Sequence, residues 1–281
     1  MTADLHVHSR FSDGSYSVDE LAARSRAVGV SVLSVTDHDT VAGVGPATEA
    51  GRRAGVVIIP GVEISAYDYA GKRKIHLLGY GFSRDAPNIR TLCDPLLAAR
   101  HRNTQRQIAA IAATGISITE EEVRLEAGAC PWLYKQHVMA VLIEKGYTDR
   151  IYSPLYRMLF KGSGVAAGDI EYVPYQDATA AIAADGGIPV LAHPGQQHSL
   201  DLVRELVGRG LGGIELHHPD HRPADHDAIR RAADEYGLLL TGGSDFHGRY
   251  GSSHDIGERV APAEFFRDWS GRVGSDSVTS A

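Results

Sequence analysis

The residues most able to do chemistry in this chain are histidines and carboxylates in short motifs. His6 and His8 are two residues apart at the end of a predicted strand, Ala3–Val7, and Asp13 follows in a Ser/Asp/Gly turn. Residues i and i+2 of a strand point to the same face, so the two imidazoles can bind one metal ion. The turn can fold the Asp13 carboxylate back towards them. Such a histidine pair can also be an ordinary core or surface feature, and the rest of the chain decides between these interpretations.

Further histidines and acids fall at or just after the ends of other predicted strands. Six more short apolar runs predict strands at Val30–Val35, Val56–Ile59, Ile75–Tyr80, Ile188–Ala192, Gly213–Leu216 and Leu238–Thr241. The residues that end or follow these strands are His38, Glu63, His193, His217, His218, Asp245 and His247, whereas His76 lies inside its strand. Active sites of α/β barrels lie at the carboxyl ends of the strands. This sorting therefore predicts one metal site.

Most of the predicted strands are followed by a helical pattern, which favours a parallel sheet or barrel. The first helix opens at a capping box, Ser17 to Glu20, and Gly55 ends the second. From residue 90 to 172 the spacing is helical throughout, with a second capping box at Thr119 to Glu122. We therefore expect an α/β domain formed by 1–89 and 173–270, a helical insertion at 90–172, and a disordered tail at 271–281. Lys72–Lys74 is interpreted as a solvated turn.

Composition limits the classes of function. The chain has 281 residues, 43% hydrophobic content and a formal charge of −7. This charge argues against an extended nucleic-acid surface but allows a local basic pocket for one phosphorylated molecule. Cys93 and Cys130 lack a CxxC spacing, which indicates a reducing compartment. Neither a leader peptide nor an 18-residue apolar run is found, so we expect a cytoplasmic protein without a membrane span.

Six motifs, in order along the chain, resemble the PHP family (polymerase and histidinol phosphatase domain). They are DLHVHSRFSDG, SVTDHDT around His38, IIPGVEIS around Glu63, HLLGY at His76, LAHPG at His193 and GGSDFHG at Asp245 and His247. The resemblance implies a distorted (β/α)7 barrel with a helical insertion after the fourth strand. It also implies a centre of two or three divalent ions.

The resemblance further implies which residues bind each ion. His6, His8, Glu63 and Asp245 would hold the first; Asp13, His38 and His247 the second; and Glu63, His76 and His193 the third. Mixed imidazole and carboxylate ligands leave Mn, Fe and Zn open. Clustered ions suggest hydrolysis of a phosphate ester by an activated water. The chain has neither a G-x-S-x-G elbow nor a P-loop, so acyl-enzyme and NTPase interpretations lose support.

Other residues are candidates for catalysis or substrate binding. His218 could donate a proton to the leaving oxygen or bind phosphate, and it is favoured over His217. Lys135 and His137 stand where related phosphoesterases carry Arg-Pro-His, and the missing arginine puts the substrate preference in doubt. Arg102 and Arg106, four apart on one helix, could clamp a phosphate or form a solvated face, and Arg249 could also reach substrate. Asp37 and Asp39 could orient an imidazole or cap a turn.

The predicted function is hydrolysis of a small phosphorylated nucleotide: a nucleoside monophosphate, a 3′,5′-bisphosphate or a short oligoribonucleotide. The alternative within the family is a histidinol-phosphate phosphatase. A non-catalytic sensor of metal or phosphate is disfavoured because every matched ligand position is filled. Metal-dependent C–N hydrolysis is disfavoured because none of the strand ends carries a well-placed lysine. The sequence leaves the oligomeric state open.

Overall fold

The computed structural model describes residues 1–273, and within them nine strands form two sheets. The strands are β1 Ala3–Val7, β2 Val32–Val35, β3 Val57–Ile58, β4 Gly61–Asp68, β5 Arg73–Tyr80, β6 Val173–Pro174, β7 Ile188–Leu191, β8 Gly213–His217 and β9 Leu239–Gly242. The first sheet has the order β1-β2-β3 and is parallel. The second has the order β6-β4-β5-β7-β8-β9.

Helices alternate with most of the strands, which confirms an α/β fold. They are α1 Val18–Ala27, α2 Val44–Ala54, α3 Pro87–Ala112, α4 Glu120–Ala127, α5 Lys135–Glu144, α6 Pro154–Phe160, α7 Tyr175–Ala184, α8 Pro194–Gln197, α9 Val203–Val207, α10 Pro223–Tyr236 and α11 Phe265–Val273. Both predicted capping boxes are present, at Ser17 and at Thr119. The end of α2 at a left-handed Gly55 is also as predicted.

One part of the sheet differs from the predicted series of parallel strands. The segment after Pro60 is itself a strand, β4, which forms an eight-residue antiparallel pair with β5, and β5 is also antiparallel to β7. Glu63 therefore lies inside a strand instead of following one. The predicted solvated turn is wrong for Arg73 and Lys74, because both belong to β5.

The two sheets are joined where β1, β2 and β9 end and β4 begins. Isolated parallel bridges join Val7 to Phe246 and His38 to Glu63. Apolar side chains from β1, β2, β5, β7 and β9 pack together with Phe265 and Trp269 of α11 in one buried cluster. This packing fixes the strands that carry the candidate metal ligands.

Helices α3 to α6 lie between β5 and β6, as the helical spacing predicts. They share a buried apolar cluster that includes Leu97, Ile111, Val138 and Leu142, and Tyr250 from the α/β part packs against it. These helices therefore have a core of their own that is anchored beside the strand ends.

Three further findings concern single predictions. Gly271–Val273 end helix α11, so the expected disorder is wrong for these residues, and the rest of the expected tail lies outside the described residues. Cys93 and Cys130 are free and buried. Among the residues described, none of the helices is long and apolar enough to cross a membrane.

Candidate metal centre

The candidate ligands converge on one carboxylate at the end of the sheets. Glu63 is buried at the centre of five imidazoles. Its Oε2 lies 3.3 Å from His6 Nε2, 3.2 Å from His8 Nε2 and 3.2 Å from His38 Nδ1. Its Oε1 lies 2.7 Å from His76 Nδ1 and 2.9 Å from His193 Nε2. A single carboxylate can therefore bridge several ions here. We call the nine predicted ligands the metal cluster: His6, His8, Asp13, His38, Glu63, His76, His193, Asp245 and His247.

The spacing within one group fits a bound ion. The imidazole Nε2 atoms of His6 and His8 are 3.4 and 3.2 Å from Oδ1 of Asp245, and 3.3 and 3.2 Å from Oε2 of Glu63. Nitrogen and oxygen ligands lie about 2.0–2.1 Å from an ion such as zinc, which places tetrahedral ligand atoms about 3.3 Å apart. These four atoms are thus spaced like ligands of one ion.

Unsatisfied polar atoms give a second, independent indication. Buried side-chain nitrogen and oxygen atoms normally have hydrogen-bond partners. Here several lack one: His6 Nε2, both ring nitrogens of His8, Asp13 Oδ1, His38 Nδ1 and His193 Nδ1. These six atoms belong to the metal cluster, whereas seven others among the described residues are scattered elsewhere in the fold. A cation that accepts lone pairs explains most of the six.

A second group combines His8, Asp13, His38 and His247, and a third combines His38, Glu63 and His76. His247 Nε2 is 3.5 Å and His38 Nε2 is 4.0 Å from the Asp13 carboxylate. The structure thus brings together all nine residues that the motifs single out. It differs from the expected sets in three ways: His6, His8 and His38 each take part in two groups, a fourth group combines His6, Glu215 and His218, and His193, which contacts Glu63, belongs to none of the groups.

The loop that carries Asp13 is held by Asp37. The Asp37 carboxylate accepts hydrogen bonds from the Ser9 amide at 2.8 Å and from the Ser9 and Ser12 hydroxyls at 2.6 Å each. Gly14 packs so closely that a Cβ would lie 2.2 Å from the His8 carbonyl oxygen. Asp37 therefore has the turn-capping role, and it fixes Asp13 indirectly. Asp39 instead pairs with Arg100 and accepts the Ser65 amide.

Two ligands at strand ends adopt left-handed backbone angles, with φ of 51° at Asp245 and 26° at His193. Residues other than glycine are uncommon in this region, and such strain is concentrated at functional sites. The backbone here aims side chains at the cluster at a conformational cost.

The electrostatic potential of the cluster favours cations. Burial alone would lower the pKa of His8, but the carboxylates of Asp245 and Glu63, each 3.2 Å from its Nε2, raise it to about 10. Burial would raise the pKa of Glu63, but its interactions with the neighbouring His38, His76 and His6 hold it well below its usual range. Of the three carboxylates of the metal cluster, those of Asp13 and Glu63 are buried and that of Asp245 is partly buried. If they stay ionised they need compensating positive charge, which metal ions supply.

Glu215 was missed in the sequence. It is fully buried in β8, where Oε1 accepts a hydrogen bond from His6 Nδ1 at 3.0 Å and Oε2 accepts one from the His193 amide at 2.7 Å. Burial opposes ionisation, yet the neighbouring His6 brings the pKa of Glu215 down to about 2. The sequence feature that could have identified Glu215 is an acidic residue inside an apolar strand, in the segment IEL, directly before two histidines.

His218 lies at the edge of the cluster, as predicted. Its Nε2 is 3.3 Å from Asp245 Oδ2, and its Nδ1 accepts the Asp220 amide. His217 faces away, since its Nδ1 donates to the Val260 carbonyl oxygen. His221 is buried and donates through Nδ1 to the Leu216 carbonyl oxygen.

Two cavities open beside the metal cluster. The first, of about 390 Å³, reaches Asp13, His38 and His76 and has four cationic side chains in its wall, Lys74, Arg100, Lys135 and Lys161. We call these four the cationic lobe. The second, of about 410 Å³, is lined by His218, Asp220, Asp245, His247, Ser252 and His254, among others.

Only one of the predicted substrate-binding residues, Lys135, lines the first cavity. His137 is buried beneath it, where its ring packs against Tyr134 and Tyr250. Arg102 and Arg106 are exposed and lie outside both cavities. Arg249 borders a separate groove and pairs with Glu126. The structure therefore does not bring these three arginines and His137 to the metal cluster.

Comparisons with known proteins agree with this geometry. A family model described as the PHP domain matches residues 4–173. The chain is 45% identical over 261 residues to phosphoribosyl 1,2-cyclic phosphate 1,2-diphosphodiesterase of Eggerthella lenta, covering 92% of this chain and 99% of that protein. It is 28% identical to 3′,5′-nucleoside bisphosphate phosphatase of Chromobacterium violaceum, over 90% of each chain.

A solved structure has the same fold. The crystal structure of a Bifidobacterium adolescentis protein, assigned as a metal-dependent phosphoesterase, superposes with a TM-score of 0.87 at 25% identity and covers 96% of each chain.

Proposed function

This chain belongs to the PHP domain family and is a metal-dependent phosphoesterase, and on that premise we propose that it hydrolyses a cyclic phosphodiester on a phosphorylated ribose. The proposal is supported by the 45% identity to the Eggerthella protein across nearly the full length of both chains. The expected substrates did not include a cyclic phosphate. Nucleoside 3′,5′-bisphosphate is the second candidate, because a relative with that activity covers 90% of this chain.

The observation that carries the proposal is the position of Glu63 among five imidazoles, next to a cavity with an excess of positive charge. We assign His6, His8, Glu63 and Asp245 to one ion, Asp13, His38 and His247 to a second, and Glu63, His76 and His193 to a third. When bound, such ions supply an activated water and neutralise charge on the phosphoryl group. Mn, Fe and Zn are the candidates.

His218 is the proposed proton donor. As water adds to phosphorus and the bond to the ribose oxygen breaks, that oxygen needs a proton, and the product is a phosphate monoester. His218 lies at the edge of the metal cluster and lines the second cavity, and Asp245 helps to keep its imidazole protonated. A second hydrolysis of the monoester would release inorganic phosphate.

We also propose that the strands form a distorted (β/α)7 barrel and that residues 90–172 act as a lid over its carboxyl end. The bridges at Val7–Phe246 and His38–Glu63 support closure between the two sheets. The separate apolar core of α3 to α6 supports the lid.

The test is phosphorus NMR of reactions with phosphoribosyl 1,2-cyclic phosphate, adenosine 3′,5′-bisphosphate, AMP and histidinol phosphate. It is combined with elemental analysis of protein purified without chelator. We expect two to three equivalents of metal and fastest turnover of the cyclic phosphate. The E63Q variant should lose metal and turnover, whereas E121Q, the same change at an exposed position, should keep both. Turnover of histidinol phosphate alone, or metal content that E63Q leaves unchanged, would contradict the proposal.

A further inference from the structure

We infer that the cationic lobe binds a second phosphate of the substrate, one that is not hydrolysed. The inference rests on the proposed function, because it assigns a place to the other phosphate of a phosphoribosyl substrate. It also names Asp169 as the anion that occupies this place in the free protein.

The lobe lies directly beside the metal cluster. Its cavity includes Asp13, His38 and His76 in the wall, so a molecule seated there is next to the candidate ions. Lys74 enters from β5, Arg100 from α3 and Lys135 from α5. The lobe is therefore formed jointly by the sheet and the insertion helices.

The charges of the lobe match a phosphate dianion. Arg100 forms a buried ion pair with Asp39, and its guanidinium lies between the rings of Tyr134 and Tyr172, 5.4 and 5.8 Å from their centroids. The other carboxylate is that of Asp169. Asp13 also borders the cavity but is assigned to the metal cluster. Apart from it, four cations face two carboxylates, which leaves two positive charges of the lobe unbalanced. One phosphate dianion would balance them.

The contacts of Asp169 show how an oxyanion is held there. Its Oδ2 lies 2.6 Å from Lys74 Nζ and 3.3 Å from Lys135 Nζ, and its Oδ1 accepts the Tyr172 hydroxyl at 2.9 Å. Two ammonium groups and a phenol are suitable donors for phosphate oxygens as well. Burial lowers the pKa of Lys135 to about 8, while Asp169 acts to keep it protonated. Asp169 thus holds the two lysine ammonium groups until substrate competes for them.

The second cavity has the opposite character. Among the described residues that line it, none is a lysine or arginine, and Asp220 and Asp245 contribute negative charge. Tyr152 and Gln196 border both cavities. A substrate with two phosphates is therefore oriented: the reacting phosphorus lies at the metal cluster and the other phosphate lies in the cationic lobe.

The test compares phosphoribosyl 1,2-cyclic phosphate with ribose 1,2-cyclic phosphate, which lacks the second phosphate. K135Q and K74Q should raise KM for the first compound about 10- to 100-fold, because each removes a charge-assisted hydrogen bond. Both should leave KM for the second compound within about twofold. K135R should restore most of the loss, and R102Q, an exposed cation on α3 outside the lobe, should change neither KM.

The outcomes separate this inference from the proposed function. An equal effect of K135Q on both compounds, with metal content and melting temperature unchanged, would overturn the assignment of the lobe while cyclic hydrolysis stood. If neither cyclic compound is hydrolysed, the proposed function fails. The lobe is then tested with adenosine 3′,5′-bisphosphate against adenosine 3′-monophosphate. If K135Q raises KM for the bisphosphate alone, the assignment of the lobe is supported. If it raises KM equally for both nucleotides, the assignment is overturned.

Discussion

Glu215 is predicted to control metal affinity without contacting the ions. The E215Q substitution keeps the shape of the side chain but replaces one acceptor oxygen by an NH2 donor. Because Glu215 accepts from both His6 Nδ1 and the His193 amide, the amide of glutamine can satisfy only one of these donors. The N–H group that the glutamine oxygen does not accept from is left buried and faces the NH2 group of the glutamine.

The size of the effect follows from this loss. A buried group left without its partner costs about 1–3 kcal/mol. When His6 loses its acceptor, the tautomer with the proton on Nδ1 is less favoured. The proton can then move to Nε2, the nitrogen that faces Glu63 and Asp245. Substitution of residues that orient a metal-binding histidine typically lowers affinity about 10- to 100-fold. We expect E215Q to fall in that range.

The assay is a titration of Mn or Zn against a competing chelator, with elemental analysis after dialysis. E121Q is the matched control, because it makes the same chemical change at an exposed helical position. An E215Q protein that folds with wild-type secondary structure and binds metal within twofold of wild type would refute the reasoning. Loss of folding would be detected separately by circular dichroism, and E215D, which keeps the charge, would then serve as the test variant.

Three further results are expected. Burial lowers the pKa of Lys135 to about 8, so kcat/KM for a substrate with two phosphates should fall as pH rises through about 8. K135R should move this fall to higher pH. A pH profile that K135R leaves unchanged would contradict the role of Lys135. R100M should lower the free energy of unfolding in urea by about 3–5 kcal/mol, since it leaves the buried Asp39 charge unpaired. R102M should change the free energy of unfolding little. Equal effects of the two substitutions would contradict the importance of the Arg100–Asp39 ion pair. G14A should reduce metal content, because its Cβ would lie 2.2 Å from the His8 carbonyl oxygen; metal content equal to wild type would show that the Asp13 loop tolerates the shift.

The nine predicted ligands lie close together in the structure, and the sequence singled them out because most of these histidine and acid side chains sort to strand ends. His6, His8, Asp245 and His247 follow short apolar runs, and runs of this kind are good strand indicators. Glu63 lies beside the other predicted ligands, but on a strand and not after one as predicted. Pro60 suggested the end of a strand, and periodicity does not reveal the antiparallel partner that continues the sheet after it.

The substrate side was predicted less well, for a reason of helix geometry. Arg102 and Arg106 share a face of α3, but successive residues turn by about 100°, so Arg100 lies on nearly the opposite face from Arg102. Arg100 shares its face with the buried Thr104 and Gln107, and this is the face turned towards the cavity. Periodicity identified the helix but not which arginine faced inwards.

The position of the ligands along the chain has a consequence for biosynthesis. The metal cluster takes residues from the first described strand and from the loop after the last one, so a nascent chain lacks Asp245 and His247 until all nine described strands have been synthesised. A partial chain on the ribosome carries His6, His8 and Glu63 without the residues that complete their group. The first group can therefore bind an ion only after β9 and the residues that follow it have been synthesised, and ion binding then adds its free energy to a fold that contains all nine described strands.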